Sequence, residues 1–455
     1  MRIKLGIALA TADIIKALGI SVGCKDYPRE ISYITTRSTL CKSGDLFVAL
    51  KGENFDGGDF LTEAKAKGAL TLSERYENTD FTVKDSEGAL LLLAELYISR
   101  LKHLKEVIAI TGSVGKTTTR ELIHHLIKKS YRVHSTSGNL NNKIGVPLTV
   151  LTAPYDTEIL LIEAGMNRAG ELKCISCAIH PTLAVITNIG SAHVGCLGGI
   201  DMVARAKLEI LTGMKKIRAI TPFGCKYTDS IVGAISVSVG ESSADYKLFM
   251  DGGRCRFLRG GTTLYTFSFD YFGEHIPYCL AYALAVCDSL FITNGEISER
   301  IQSAQESLSR MKRISFGGIT LLDDSYNASA ESVISALRTL KGVMAKRRIA
   351  LLGDMLELGG YTESLHEKIG RECAGICDFL VTFGVFSEFT VSGAKACGMK
   401  DEQIIRFNDY LKRDECAEAV LKLLTSGDAL LIKASHRTGL CDVCEIIKER
   451  LGIKE

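Results

Sequence analysis

A glycine-rich loop between an apolar stretch and an amphipathic stretch is the first candidate for chemistry. It consists of Thr111, Gly112, Ser113, Val114, Gly115, Lys116, Thr117 and Thr118. Glycines let backbone amides turn inward around an anion, and a helix that begins there adds its positive end. Lys116 can then reach the β- and γ-phosphates of a nucleotide, and the Thr117 hydroxyl can ligate Mg²⁺. The loop is shorter than usual, because Ile110 stands where GxxxxGK[ST] requires glycine, yet its context predicts nucleotide binding.

Two further side chains follow apolar runs that predict strands. Glu163 comes directly after Ile159–Ile162, and His193 follows the run 184–187. Because the carboxyl ends of parallel strands meet at one edge of a sheet, both would lie near the phosphate loop. A carboxylate there suits Mg²⁺, whereas imidazole is an unusual ligand for so hard a cation. A solvated strand-end charge and an ordinary loop histidine are the alternatives.

The spacing of apolar residues predicts the elements that position these side chains. Val107–Ile110 is a short apolar strand, and the helix after the loop has a buried face of Leu122, Ile123, Leu126 and Ile127. Strand and helix patterns then alternate to about residue 305. Such alternation favours a parallel α/β sheet.

A third block repeats the alternation, whereas residues 1–82 mix short β-like runs with glycine turns. The strands of the third block are predicted at Ile319–Leu322, Arg348–Leu352, Phe379–Phe383 and Ala429–Ile432. This arrangement is typical of a Rossmann-like domain. We therefore expect an α/β protein of three domains: residues 1–82, a central parallel-sheet domain of the P-loop ATPase type at 83–312, and a Rossmann-like domain at 313–455.

Length and composition exclude several classes of protein. The 455 residues are too many for one hydrophobic core, and 46% are apolar and 24% charged, as in soluble globular proteins. A formal net charge of +2 gives no electrostatic reason to expect nucleic acid, and no apolar run is long enough to span a bilayer. Leu5–Ala10 resembles a short signal peptide, but an amphipathic helix predicted at 13–18 with a stop at Gly19 favours a cytoplasmic protein.

The chain contains 15 cysteines, an odd number. Two CxxC pairs, Cys174/Cys177 and Cys441/Cys444, have the spacing of zinc ligands. Both pairs lie in amphipathic, helix-like stretches far apart in the chain. We therefore favour reduced and partly buried thiols over a zinc site.

Six motifs occur in the order found in one enzyme family. They are Thr111–Thr118, Gly138–Asn142 with Gly145–Pro147, Glu163–Asn167, Thr187–His193, Ala206–Ile210 and Asp323–Ala328. They resemble the TGSxGKTT, GNxNNxxGxP, ExGxN, TNxxxxH, AKxEI and DDxYNA motifs of the Mur ligases and their folate-tail-adding relatives. The resemblance extends over nearly the whole chain, so the protein is identified as a member of that family.

The resemblance implies ATP and Mg²⁺ as cofactors. ATP would be bound by the loop Thr111–Thr118, by Arg310 at the γ-phosphate and by Asp324 at the ribose. Mg²⁺ would be ligated by Thr117, Glu163, His193 and Lys207. In relatives that lysine is carbamylated, which turns a cation into a carboxylate-like ligand. Without the family, a solvated lysine would be favoured.

The resemblance also implies which residues act on the substrates. Catalysis would depend on Lys116, Lys207, His193 and Asn142. The UDP-linked peptide would be bound by Arg37, Lys51, Asn141, Asn142, Tyr326 and Asn327. A closing motion should assemble the site, because these residues come from different domains.

Two segments narrow the branch of the family. Leu352–Gly359 with His366 is similar to an LGDMLELG motif, and Gly44–Glu53 is similar to a UDP-substrate domain. Both are found in the branch that adds D-alanyl-D-alanine to a UDP-linked muramoyl tripeptide through an acyl phosphate. We therefore expect these two small molecules as substrates, and a monomer. The alternatives are a Mur-type amide ligase with another amino-acid acceptor, or a non-catalytic nucleotide-binding regulator.

Several positions depart from the family pattern. Cys279 stands where an asparagine is expected to contact adenine, and the C-terminal KGSR stretch is Lys433 followed by Ala-Ser-His-Arg. The DSR stretch is Thr35-Thr36-Arg37, and Gly58 replaces a histidine. A thiol is a weak hydrogen-bonding group, so we expect weaker discrimination between ATP and GTP. The alternative is that Cys279 only packs.

Overall fold

The computed structural model describes residues 1–21, 27–52, 55–240, 242–269, 271–304, 308 and 310–453. Its strands form three sheets, one in each of three consecutive blocks of the chain. The α/β fold of three domains expected from the sequence is confirmed. Glu53, the last residue of the predicted UDP-substrate segment, lies outside the described residues.

The N-terminal block has a five-stranded sheet in the order β1-β2-β3-β4-β5. Its strands are β1 Arg2–Ala10, β2 Glu30–Thr35, β3 Leu46–Val48, β4 Leu70–Ser73 and β5 Phe81–Thr82, and its helices are α1 Thr11–Leu18 and α2 Leu61–Ala66. The predicted first helix is confirmed and ends at Gly19, whose φ of 61° allows the left-handed stop. The apolar stretch before it is an edge strand, antiparallel to β2.

The central block carries a nine-stranded sheet in the order β14-β13-β12-β11-β10-β9-β6-β8-β7. Its strands are β6 Glu106–Thr111, β7 Val133–Ser135, β8 Ile159–Glu163, β9 Leu183–Ile186, β10 Ala219–Pro222, β11 Ala234–Val239, β12 Tyr246–Asp251, β13 Arg254–Arg259 and β14 Thr262–Ser268. Its helices are α3 Ser86–Ile98, α4 Lys116–Ile127, α5 Gly145–Leu151, α6 Glu171–Ile179, α7 Val194–Leu197, α8 Ile200–Leu208, α9 Ile276–Ser289 and α10 Asn294–Arg300.

The sequence pattern did not predict that this sheet ends in an antiparallel meander. Strands β6 to β12 pair in parallel with their neighbours, but β13 is antiparallel to both β12 and β14. The two tight turns are Gly252–Gly253 and Gly260–Gly261, all with positive φ. Paired glycines between strands are a hairpin signal that was present in the sequence.

The C-terminal block has a six-stranded sheet in the order β15-β16-β20-β17-β18-β19. The strands are β15 Lys312–Phe316, β16 Ile319–Asp324, β17 Arg347–Gly353, β18 Phe379–Phe383, β19 Ile404–Phe407 and β20 Asp428–Lys433. The helices are α11 Ala330–Lys341, α12 Thr362–Ala374, α13 Ser387–Ala396, α14 Arg413–Leu423 and α15 Leu440–Leu451. All pairs are parallel except the hairpin β15–β16.

Strands β9, β6 and β8 lie side by side toward the β7 end of their sheet and are buried along their length except at Glu106. Their carboxyl ends therefore meet at one edge, where polar residues follow each strand. This edge faces the C-terminal block. In the part of the chain that the structure describes, no helix has the length and apolarity needed to cross a membrane.

The cysteine pairs lie on helices α6 and α15, as the sequence indicated. All 14 described cysteines are free. Among the described residues, one group of side chains has the residue types and spacing of metal ligands: Asp323, Cys444 and Glu445. The ammonium group of Lys448 lies 2.7 Å from both carboxylates, so a cation already compensates their charge.

Candidate active site

The phosphate loop joins β6 directly to α4, and two of its glycines have backbone angles that suit few other residues. Gly112 has a φ of 149° and Gly115 a φ of 85°. A Cβ atom at Gly112 would lie 1.9 Å from the Thr187 hydroxyl oxygen. The glycines are therefore required by backbone conformation and by close approach of the segment after β9.

That segment, Thr187–Leu197, braces the loop and is called the bridging segment below. The Asn188 side-chain oxygen accepts hydrogen bonds from the backbone amides of Ser113 (2.9 Å) and Val114 (2.8 Å). The Thr187 hydroxyl donates to the Val114 carbonyl at 2.6 Å. The amide of Gly190 donates to the Ser113 hydroxyl at 2.9 Å. Asn188 was missed as a site residue, although its place in the TN motif was a signal.

Lys116 begins α4 and lines the cavity beneath the loop. Its ammonium group donates to the Gly112 carbonyl at 2.7 Å. Burial lowers the pKa of Lys116, and Glu163 acts in the opposite direction. The side chain is thus held at the loop, where a phosphate would replace the carbonyl as its partner.

Glu163 is the centre of a buried polar group. Its carboxylate accepts from the Thr117 hydroxyl at 3.0 Å and from the Asn141 amide at 2.9 Å. The Arg120 guanidinium lies 3.4 Å from the same carboxylate. A hydroxyl and a carboxylate in contact, beside a phosphate loop, fit the oxygen-ligand preference of Mg²⁺. Arg120 is a further residue of this group that the sequence analysis did not select.

His193 and Lys207 occupy different surroundings. His193 lines the cavity, and its Nδ1 lies 2.7 Å from the Glu357 carboxylate of the C-terminal block. The hydrogen bond from His193 lowers the pKa of Glu357. Lys207 is 2% exposed on α8, and burial, with Lys116 nearby, lowers its pKa well below the usual value. Lys207 is therefore not the solvated lysine that would be expected without the family resemblance.

The C-terminal block contributes three side chains that lie against one another. The Arg310 guanidinium lies 3.5 Å above the centre of the Tyr326 ring, and that ring centre is 5.2 Å from that of His436. Asp324 forms an ion pair with the ammonium group of Lys433, which also donates to the Asn327 carbonyl at 2.8 Å. Asp324 is therefore held by Lys433 before any ribose is present.

These residues surround one cavity of about 510 Å³ between the central and C-terminal blocks. Most residues selected from the sequence line it: Ser113, Val114, Gly115, Lys116, Thr117, Thr118, Asn141, Asn142, Glu163, His193, Arg310, Asp324, Tyr326 and Asn327. Thr111, Gly112 and Lys207 are not among the residues that line the cavity. The Asn142 side-chain oxygen accepts from the Gly145 amide at 2.8 Å and so caps α5.

Arg37 and Lys51 lie outside this cavity, in the N-terminal block. The Arg37 carbonyl accepts from the Thr35 hydroxyl at 3.0 Å. The backbones of Lys51 and Asp56 form an isolated antiparallel β-bridge. At Gly58, which replaces a histidine of the family pattern, a Cβ atom would lie 2.5 Å from Nε of Arg75. The Arg75 guanidinium forms ion pairs with Asp56 (2.8 Å) and Asp59 (2.7 Å) and fills this space.

Cys279, the departure at the expected adenine contact, lies on α9 beneath the phosphate loop. It is 3% exposed, and its sulfur is 3.8 Å from the Gly115 carbonyl oxygen. Burial raises the pKa of the thiol to about 11. Cys279 is not among the residues that line the cavity, which favours the packing alternative.

The fold and site define a nucleotide-binding enzyme of the phosphate-loop class, with its cavity between two α/β blocks. Family models match three parts of the chain: the Mur ligase middle domain at residues 110–287, the Mur ligase glutamate ligase domain at 309–436, and the Mur ligase family catalytic domain at 30–89. The chain belongs to the Mur ligase family.

Individual relatives are similar along nearly their whole length. The UDP-N-acetylmuramoyl-tripeptide–D-alanyl-D-alanine ligase of Bacillus subtilis (strain 168) is 32% identical over 432 residues, covering 91% of this chain and 93% of that protein. A crystal structure of MurF from Acinetobacter baumannii has a TM-score of 0.86 at 26% identity and covers 98% of this chain and 100% of that one. MurF ligase from Thermotoga maritima in complex with ADP has a TM-score of 0.78 at 28% identity, covering 92% and 97%.

Proposed function

We propose that this chain is an ATP-dependent ligase that joins D-alanyl-D-alanine to a UDP-N-acetylmuramoyl-tripeptide in the synthesis of peptidoglycan precursors. The observation that carries the proposal is the single cavity in which Lys116 and Glu163 face Tyr326 and the stretch Leu356–Leu358. Relatives named for this reaction, similar along nearly their whole length, support the same assignment.

The proposed reaction has two steps. A carboxylate oxygen of the tripeptide attacks the γ-phosphorus of ATP, the bond to the bridging oxygen breaks, and ADP leaves behind an acyl phosphate. The free amine of D-alanyl-D-alanine then attacks the acyl carbon, and inorganic phosphate leaves as the amide forms. The surplus proton of the amine passes to the departing phosphate or to water.

The residues at the cavity would act by positioning and by charge. Lys116 exchanges its partner, the Gly112 carbonyl, for the phosphoryl group that is transferred. Arg310, held flat over Tyr326, is placed to offset charge on the same group from the C-terminal side. Asp324 would receive the ribose, and Asn142, Asn141 and Asn327 the peptide.

Thr117 and Glu163 would hold Mg²⁺, with His193 and a carbamylated Lys207 as further ligands. When bound, the ion supplies charge compensation on the phosphates. The burial of Lys207 supports the carbamate, because desolvation disfavours the charged amine and a neutral amine is the form that reacts with CO₂. Detection of an unmodified amine by mass spectrometry at neutral pH would argue against it.

Arg37 and Lys51 would bind the UDP part of the substrate, away from the ATP cavity. The roles of Arg37 and Lys51 rest on the family resemblance and on their position in the N-terminal block. We also propose a cytoplasmic location, as the sequence indicated, and a monomer.

The deciding experiment is a panel of acceptors assayed by phosphate release, with product masses measured. D-alanyl-D-alanine should give ATP-dependent phosphate and the mass of the extended peptide, whereas single amino acids should give little. A single amino acid that exceeds the dipeptide would assign a different acceptor. Acceptor-independent ADP release, or none, would favour the regulatory alternative.

A further inference from the structure

A hydrogen bond between two side chains joins the bridging segment to the C-terminal block. His193 comes from the central block, and its Nδ1 lies 2.7 Å from a carboxylate oxygen of Glu357. The backbone supports the same contact, because the Gly195 amide donates to the Glu357 carbonyl at 3.2 Å. A Cβ atom at Gly195 would lie 2.2 Å from the Leu358 carbonyl carbon, so only glycine allows the two backbones to meet.

Both members of the pair have unusual backbone conformations. His193 has a φ of 64° and Glu357 a φ of 66°, and neither is glycine. Left-handed angles at such residues cost free energy and persist where the surroundings require them. The two side chains are therefore presented to each other by strained backbones on opposite sides of the cavity.

The stretch that carries Glu357 is fixed from within its own block. The Met355 amide donates to Nε2 of His366 at 3.0 Å, and the Leu356 amide donates to the Ser435 hydroxyl at 3.0 Å. Nδ1 of His366 donates in turn to the Thr362 carbonyl at 2.7 Å. The backbone next to Glu357 is therefore held in place by hydrogen bonds within the C-terminal block.

We propose that Glu357 is a positioning residue that orients His193 as a metal ligand and does so only when the C-terminal block is docked. An ionised carboxylate can only accept, so the shared proton lies on Nδ1, and the lone pair is on Nε2. Among the described residues, Nε2 has no recorded hydrogen-bond partner. A carboxylate that fixes the tautomer of a ligating histidine is a common support in metal sites.

This inference rests on the proposed function and adds a coupling to it. The bridging segment contacts the phosphate loop through Asn188 and the C-terminal block through His193. Docking of the C-terminal block therefore also fixes the histidine beside the phosphate loop. The orientation of His193 as a metal ligand is thus linked to the position of the C-terminal block through the Glu357 carboxylate.

Glu357→Gln is the primary test variant, because the amide keeps the volume but can either accept or donate. Glu331→Gln is the matched control. Its carboxylate also joins the C-terminal block to the bridging segment, accepting from the Ser191 amide at 2.7 Å and the Ser191 hydroxyl at 2.9 Å. Glu331 touches neither His193 nor another proposed ligand. Glu357→Asn, which tolerates a left-handed backbone, serves if the first variant fails to fold.

The tautomer is measured on ¹⁵N-histidine-labelled full-length protein, with the His193 signal assigned from a His193→Asn variant. Wild type and Glu331→Gln should show the proton on Nδ1, and Glu357→Gln a mixture of tautomers. Binding of Mn²⁺ in the presence of saturating ADP, followed by electron paramagnetic resonance, should weaken about 10-fold or more in Glu357→Gln and less than about twofold in Glu331→Gln.

An unchanged tautomer and unchanged Mn²⁺ affinity in Glu357→Gln would overturn the inference, as would equal losses in both variants. Neither measurement contains the acceptor. They therefore remain decisive for Glu357 even if wild-type enzyme fails to use D-alanyl-D-alanine, which would refute the proposed function instead.

Discussion

At the scale of single residues, the site is a set of charges held in place before substrates arrive. Lys116 is bonded to its own loop, Asp324 to Lys433, and Glu163 to Thr117 and Asn141. Each of these partners can be exchanged for a substrate oxygen or a cation. Little rearrangement is then needed when the nucleotide binds, which is how preorganised electrostatic sites act.

Replacement of Lys116 by alanine removes the positive charge that we propose to stabilise the transferring phosphoryl group. We expect kcat to fall by about 10²- to 10³-fold, the usual effect of losing one such group, with the melting temperature nearly unchanged. Steady-state phosphate release measures this. Lys128→Ala, an exposed lysine at the other end of α4, is the control, and near-normal turnover in Lys116→Ala would refute the assignment.

At the scale of elements, the bridging segment after β9 determines the shape of the phosphate loop. Two amides that would otherwise point at an anion are satisfied by one asparagine oxygen. The conformation of the loop is therefore supported by hydrogen bonds from the protein itself. Its conformation depends as much on this neighbour as on its own glycines.

Asn188→Ala should weaken ADP binding. Loss of two hydrogen bonds of about 1 kcal/mol each corresponds to a rise in Kd of about 10- to 30-fold. Isothermal titration with ADP measures the change, and Asn78→Ala is the control, since Asn78 lies in the N-terminal block and contacts Thr62. An unchanged Kd would show that the loop keeps its shape without this brace.

An ion pair between Asp323 of β16 and the buried Lys448 of α15 supports the C-terminal sheet. Lys448→Ala should cost about 3 kcal/mol, the lower end of the range for a broken buried pair, because the partly buried Asp323 keeps its hydrogen bonds from Ser325 but loses this cation. The Asp323→Ala/Lys448→Ala double variant should recover part of this loss. Denaturant unfolding measures both, with the exposed Lys422→Ala as control. A double variant no more stable than the single would contradict the pairing.

This ion pair also has a defined pH window. The pKa of Asp323 is lowered from 3.8 by its bonds to Lys448 and Ser325, although burial opposes this. The pKa of Lys448 is raised from 10.5 by Asp323 and Glu445, again against burial. Its contribution is therefore complete between about pH 4 and 10, is lost on the acid side as Asp323 protonates, and is lost on the alkaline side as Lys448 deprotonates. The destabilisation by Lys448→Ala should shrink at both ends.

The elements and the central site were predictable because their signals are local. The glycine loop, the apolar run before Glu163 and the TN motif each lie within ten residues of the chain. Glu357 as the partner of His193, and Lys433 as the partner of Asp324, are contacts across 164 and 109 residues. No pattern in a single sequence specifies such pairs. The first depends on how the central and C-terminal blocks meet, and the second on the pairing of β16 with β20, in which Asp324 and Lys433 are neighbours.

At the scale of the molecule, the central and C-terminal blocks form between them a cavity that neither block contains alone. The cavity takes its phosphate loop from the central block and its Arg310–Tyr326 stack from the start of the C-terminal block. Both come from the same chain. A second copy of the chain is not needed to complete the site.

Light scattering should therefore give the mass of one chain, both without ligand and with ADP and Mg²⁺. The reason is that every side chain proposed at the site is supplied in cis. Activity per mole should also be independent of enzyme concentration. A stable dimer whose dissociation on dilution abolishes activity would contradict this expectation.

The space at Gly58 has a consequence for substitutions at this position. The guanidinium of Arg75 lies where a side chain at residue 58 would begin, and it forms ion pairs with two carboxylates. A histidine at residue 58 would have to displace the end of this flexible side chain and would weaken both ion pairs. We therefore expect the effects of Gly58→His and Arg75→Ala on the free energy of unfolding to be non-additive.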